Sequence, residues 1–281
     1  MQKPIGIFDS GIGGLTVVKQ LVKLLPEEQL IYFGDTARIP YGTKSKRLIE
    51  QYAAEDAAFL MQFDIKLLVV ACNTASSLAM DVLRRQLDIP VVGVVQPGAR
   101  AAVEKTTNKI IGVIGTSATI NSGSYMREIA KIDSNVTVLG QPCPLLVPLV
   151  EEGWLDEDIT ILTLQKYFKD LLKQKIDTLI LGCTHYPLLE KTIRQVVGPA
   201  VHLIDSGKET AKEVKRVLTE NDLLNLTGKK TDKNKYFVSD IPAKFEEIGS
   251  RFLGQPLSNV ERVDFDSFLI QSGFPTVDAQ K

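Results

Sequence analysis

Of the side chains that titrate near neutrality, this sequence carries three cysteines, Cys72, Cys143 and Cys183, and two histidines, His185 and His202. Two of the cysteines stand in similar surroundings. Leu67-Leu-Val-Val-Ala-Cys72-Asn-Thr74 and Thr178-Leu-Ile-Leu-Gly-Cys183-Thr-His185 both run from an apolar, strand-like stretch into a thiol and then into a helix-like stretch. A thiol at that place meets the partial positive end and free N–H groups of a helix, which lower its pKa and favour thiolate. The competing assignment is that each is a small buried hydrophobe, as most free cysteines are. His185 lies two residues beyond Cys183, and Asp9 leaves an apolar run, Ile5–Phe8, that can neighbour the strand of Cys72. Thr74 and Thr184 suit helix caps, and Pro187 suits a first helical turn. Cys143, in Gln141-Pro-Cys-Pro144, has no polar partner nearby and is assigned to packing, as is His202 inside Val201-His-Leu-Ile204.

Two thiols at equivalent places suit one reaction: removal of a proton from a carbon on one face and its return on the other. That work needs a base and an acid on opposite sides, and cysteine reaches its thiolate near neutral pH in a polarised site. No CxxC pair is present, and two histidines leave little for a structural zinc site. Gly11-Ile-Gly-Gly14 lacks the spacing of a dinucleotide fingerprint, and no motif implies a pyridoxal-type lysine. A cysteine hydrolase using Cys183 and His185 is a rival, but nucleophile and base two residues apart are awkwardly placed and Cys72 goes unexplained. A two-lobed amino-acid binding protein is a non-enzymatic rival, distinguished by leaving the α-proton of its ligand unexchanged.

Positioning such thiols falls to short β-branched runs that alternate with amphipathic segments. The runs are 5–8, 30–33, 67–71, 91–95, 110–114, 136–139, 178–181, 201–204 and 236–238; the segments are 14–25, 44–62, 75–87, 119–132, 158–174, 187–197 and 207–220. Near-continuous apolar strands between helices predict parallel sheets covered on both faces, an α/β protein. The partial echo of Cys72 in Cys183, and of Ile7-Phe-Asp-Ser-Gly11 in Leu203-Ile-Asp-Ser-Gly207, favours two lobes, while its unequal spacings exclude a simple tandem repeat. Residues 1–96 with 207–281 would form the first and 97–206 the second, the first boundary falling where Gln96-Pro97 turns out of a strand. Ligands of such sheets bind at the strands' carboxyl ends. Those ends are Asp9-Ser-Gly11, Gly34-Asp35, Cys72-Asn-Thr74, Gly115-Thr116, Cys183-Thr-His185 and Asp205-Ser-Gly207. The polar run Thr227–Asn234 is expected to be an exposed loop. With 44% hydrophobic residues, 24% charged residues and a net charge of −1, no basic surplus points to nucleic acid or an anionic membrane. No apolar run approaches a membrane span, and an odd number of cysteines does not suit a secreted protein; a cytoplasmic location is expected.

Asp9-Ser-Gly-Ile-Gly-Gly-Leu15, Pro40-Tyr-Gly42, Cys72-Asn-Thr-Ala75 and Gly182-Cys-Thr-His-Tyr-Pro187, in this order, resemble the signature motifs of the glutamate racemases of the aspartate/glutamate racemase family. The resemblance implies two pseudo-symmetric α/β lobes with free glutamate held in the cleft between them, and neither cofactor nor metal. It implies a role in supplying D-glutamate for bacterial peptidoglycan, and it admits a homodimer. By the same resemblance Cys72 acts on the D-enantiomer with Asp9 assisting, and Cys183 acts on the L-enantiomer with His185 assisting. Asp9, Ser10, Tyr41, Gly42, Asn73, Thr74, Thr184 and His185 would line the substrate, and Asp35 and Glu151 match supporting acids. An aspartate or hydantoin racemase of the same family is the nearest alternative.

Overall fold

The computed structural model describes residues 3–226 and 234–273, so the loop expected at Thr227–Asn234 lies outside the described residues save for Asn234. The strands are β1 Ile5–Asp9, β2 Leu30–Gly34, β3 Leu67–Val70, β4 Val91–Gly93, β5 Ile110–Gly115, β6 Thr137–Pro142, β7 Thr178–Gly182, β8 His202–Asp205, β9 Lys235–Val238 and β10 Val260–Arg262. The helices are α1 Leu15–Leu24, α2 Lys46–Met61, α3 Asn73–Leu78, α4 Met80–Gln86, α5 Val95–Lys105, α6 Ser117–Asn121 and α7 Ser124–Ile132. They continue with α8 Leu146–Glu151, α9 Asp158–Lys173, α10 Glu190–Val197, α11 Ser206–Glu220, α12 Pro242–Leu253 and α13 Phe265–Gln271.

Two sheets result, in the orders β10-β9-β2-β1-β3-β4 and β6-β5-β7-β8, with every pairing parallel. Parallel strands need a crossover between them and helices on both faces, so their residues are buried on both sides. Ile5, Ile7 and Phe8 of β1 are wholly buried, each contributing about 1.5–3 kcal/mol over its exposed state. This centres β1 in the first sheet and carries Asp9 to the sheet's carboxyl edge. β3 and β7 do the same for Cys72 and Cys183. The two-lobed α/β architecture read from the sequence is the one observed.

Local departures have identifiable causes. The run 91–95 ends as a strand at Gly93, and Gln96-Pro97 sits in the first turn of α5 rather than in a turn between lobes. Proline is accepted there because a first-turn N–H needs no helical partner. The segment 75–87 divides at Ala79, and 119–132 divides at Gly123, whose φ of 65° is left-handed. Helices α5, α8, α12 and α13 and the three-residue, largely polar edge strand β10 were not expected from the sequence. Among the described residues no helix is long and apolar enough to cross a membrane.

Candidate active site

The carboxyl ends of β1, β3, β5 and β7 surround one cavity of about 280 Å³, and both Cys72 and Cys183 line it. Ser10, Tyr41, Gly42, Asn73 and Thr74 line it from the first sheet's side, with Glu151, Thr184 and His185 from the second. Close approach of the two sides needs glycine: a Cβ on Gly13 would fall 2.2 Å from Thr184 Oγ1, and one on Gly42 would fall 2.7 Å from Thr116 Cβ. The Thr16 hydroxyl ties the sides together by donating to the Thr184 carbonyl at 2.9 Å.

Cys72 ends the loop after β3 and precedes α3, its Sγ 3.6 Å from Ser10 Oγ. Burial pushes its thiol up to about 12, the negative charge of Asp9 adds to this, and the Ala75 N–H and Ser10 hydroxyl only partly oppose it. The expected lowering by a helix end is therefore reversed at Cys72. A six-residue helix offers a fraction of a kcal/mol to about 1 kcal/mol of dipole stabilisation, too little against desolvation. Asp9 is wholly buried and lies behind the wall rather than on it. Its Oδ2 accepts the Gly11 N–H at 3.1 Å. Burial raises its carboxyl above the usual range, against the pull of the His185 cation and the Gly14 and Gly11 N–H groups.

Around Cys183 the arrangement differs. His185 Nδ1 lies 3.8 Å from Cys183 Sγ, and its Nε2 meets Glu151 Oε1 at 2.9 Å. The Phe252 ring stands nearly perpendicular to the imidazole, their centroids 5.1 Å apart. Burial alone would lower the His185 pKa; its hydrogen bonds to Cys183 and Glu151 outweigh that and raise it to about 10. Burial likewise would raise Glu151, but His185 and then Lys244 bring it below the usual carboxylate range. Glu151, matched by only a short local motif, is thus the partner of the site histidine.

Neither threonine caps its helix. Thr74 lies one residue inside α3 and its hydroxyl meets Thr116 Oγ1 at 2.9 Å, while the residue at the start of the 186–189 turn is His185. Pro187 does occupy a first-turn position. Asp35 is not at the cavity. With Asp56 and Glu55 it surrounds Arg38, and its Oδ2 accepts the Tyr41 hydroxyl at 2.5 Å. Asp35 thus supports the 36–42 segment from behind. Asp205 caps α11 through the Gly207 and Lys208 N–H groups, so this strand end serves the fold.

Among the described residues, the two buried polar side-chain atoms without a partner are Asp9 Oδ1 and Asn73 Nδ2. Asn73 Oδ1 already accepts from Tyr125 Oη at 2.7 Å, so its amide N–H groups are left for an acceptor in the cavity. Sequence reasoning missed Thr116, Asp240, Lys244, Phe245 and Ile248, all on the wall. Thr116 stood at a strand end that had been singled out. The others lie on or beside α12, whose signals were present: Pro242 at the first turn, Gly254 after the last, and Phe245, Ile248, Phe252 at helical spacing.

Cys143 is wholly buried and off the cavity, its thiol 3.5 Å from the Gln141 carbonyl and its own carbonyl accepting from Tyr186 Oη. Cys143→Ala is expected to cost about 1 kcal/mol of stability while leaving turnover within about threefold. Chemical denaturation and initial rates check both; a thousandfold loss of turnover in a folded variant would contradict the packing role.

Comparison with known proteins agrees with this geometry. The chain is 51% identical to the glutamate racemase of Geobacter metallireducens over 265 residues, 94% of this chain and 98% of that protein. A crystal structure of a glutamate racemase isoform from Bacillus anthracis superposes with a TM-score of 0.89 at 40% identity, covering 93% of this chain and 97% of that one. The Francisella tularensis glutamate racemase in complex with D-glutamate gives 0.88 at 42% identity, covering 95% and 99%. The sequence profile of the Asp/Glu/Hydantoin racemase family matches residues 5–214, three quarters of the length, and the chain belongs to that family.

Proposed function

We propose that this chain interconverts L- and D-glutamate by moving the α-proton between two cysteines, without a cofactor. The observation that carries the reading is the pair of thiols, one from each sheet, on a single cavity, each with a different acid–base neighbour. In the L-to-D direction the Cys183 sulfur removes the α-proton and the Cys72 thiol delivers one to the opposite face. The return direction exchanges the roles. The His185 imidazolium gives a negative Cys183 sulfur a partner, and Asp9 tunes Cys72. Cys72, held near 12 by burial and Asp9, is well supplied with the proton it must give.

Substrate carboxylates are held by donors of residues that line the cavity: Asn73 Nδ2, the Ser10, Thr74 and Thr184 hydroxyls, and backbone N–H groups of the Tyr41-Gly42 segment. We take residues 1–96 with 207–281 as one lobe and 97–206 as the other; the membership of the two sheets supports the division, with the first boundary falling inside the opening turn of α5, which passes from one lobe to the other. The product is assigned to bacterial peptidoglycan synthesis in the cytoplasm, with no nucleic acid or membrane partner; the reading admits a homodimer.

The test is circular dichroism of L-glutamate incubated with the purified chain in deuterium oxide. The signal is expected to decay to zero with deuterium appearing at Cα, unaffected by a metal chelator. L-aspartate, shorter by one methylene, should turn over about 10–100-fold more slowly. Binding of glutamate with no loss of ellipticity and no exchange would refute racemisation, and chelator-sensitive activity restored by metal would refute the cofactor-free route.

A further inference from the structure

Three threonine hydroxyls meet where the two sheets face each other. Thr74 Oγ1 lies 2.9 Å from Thr116 Oγ1 and 3.3 Å from Thr119 Oγ1, and Thr116 and Thr119 are 3.0 Å apart. Thr74 belongs to α3 on the first sheet's side; Thr116 follows β5 and Thr119 lies in α6 on the second. Thr74 and Thr116 line the cavity, whereas Thr119 is off its wall and only 1% exposed.

We infer that Thr119 is a positioning residue, which through a head-to-tail chain of hydroxyls with Thr116 turns the Thr74 proton toward a carboxylate of the substrate. The inference rests on the glutamate reading above. Each hydroxyl has one proton and can accept twice. Among themselves the three hydroxyls have three protons for three edges. A carboxylate brings acceptors alone, so it takes one of those protons and one edge must be given up. Among the described residues the buried Thr119 hydroxyl meets the other two threonine hydroxyls and no further side-chain or backbone acceptor. Thr116 Oγ1 also accepts the Thr119 N–H at 3.2 Å. If Thr74 and Thr116 both turned to the substrate, two lone pairs would oppose each other across the shortest edge. Donation from Thr119 to Thr116, from Thr116 to Thr74 and from Thr74 to the carboxylate avoids that and gives up only the 3.3 Å edge. Each bond in such a chain polarises the next. Because the chain spans both sheets, it forms only when they stand at this separation.

Thr119→Val removes the first donor and keeps the backbone N–H that caps at Thr116. With racemisation by the parent chain established, this variant is expected to raise KM for both enantiomers about fivefold with kcat within about twofold. Thr119→Ser should restore KM. In a Thr74→Val background, adding Thr119→Val should change KM by less than about 1.5-fold, since its effect runs through Thr74. An unchanged KM in Thr119→Val, a loss that serine does not restore, or an undiminished effect without the Thr74 hydroxyl would each overturn the inference. Lack of turnover in the parent chain would instead overturn the glutamate reading, and this inference with it.

Discussion

Cys72→Ser and Cys183→Ser are each expected to slow glutamate racemisation by about a thousandfold or more, equivalent to about 4 kcal/mol of barrier. A serine hydroxyl gives up its proton far less readily than a thiol, so the variant loses a base in one direction and an acid in the other. Racemisation rates alone cannot show which face was lost. The enantiomers have equal free energies, so kcat/KM is the same in both directions for the parent and for every variant. A glutamate with a leaving group on the β-carbon removes this constraint, because elimination follows the first deprotonation and needs no proton from the other side. Cys183→Ser should then eliminate from the D-form alone, through Cys72, and Cys72→Ser from the L-form alone, through Cys183. Initial elimination rates for both enantiomers with both variants make the measurement. Equal loss for both enantiomers in both variants would exclude two independent bases and reopen the nucleophilic-cysteine reading.

The second large effect concerns His185. His185→Asn is expected to lower kcat/KM by about a hundredfold, within the range found for a positioned acid–base group. With the β-substituted substrate the loss should fall mainly on the L-form, because the imidazole meets Cys183 and not Cys72. The pH dependence follows from its raised pKa. With a folded value of about 10 against 6.5 unperturbed, the imidazolium persists through neutrality and is lost as pH rises through about 10. Parent activity should therefore fall on that alkaline limb, and the limb should be missing from His185→Asn. Stability runs the same way: the contribution of the proton is full below about 6.5 and disappears as pH rises toward 10. Glu151→Gln keeps a hydrogen-bonding partner without its charge, so the limb should move to lower pH. An alkaline limb unchanged in His185→Asn would assign that titration to another group.

How much of this was legible in the sequence follows from what each residue depends on. Parallel strands such as Leu67–Val70 and Thr178–Gly182 are almost wholly apolar because they are buried throughout, so they announced themselves and their ends together. The thiols at those ends were legible for the same reason. Asp9 and Asp35 were found as residues but not as places: one lies behind the wall and the other around Arg38, a matter of packing depth that strand ends do not encode. The direction of the Cys72 shift was likewise out of reach, since burial and Asp9 outweigh the helix end only once the lobes are assembled. Lys244 and Phe245 enter the site from a segment far along the chain, which no local pattern connects to Cys72.

The first sheet also sets an order for folding. Its central pairs join β1, β2 and β3, all within residues 5–70, but β2 has its other neighbour in β9, where Ile31 lies against Lys235. The whole second sheet lies between these partners in the chain. Contacts so distant in sequence are slow to form, because a long loop must close before they reward it. Until residues 235–238 arrive, β2 presents an unpaired edge to any other strand, which is a template for aggregation. Helix α12 follows β9 directly, so the wall that carries Lys244 and Phe245 closes only after that edge is covered. A nascent or truncated chain lacking residues 235–253 would hold both thiols without enclosing them, and would be prone to associate through β2.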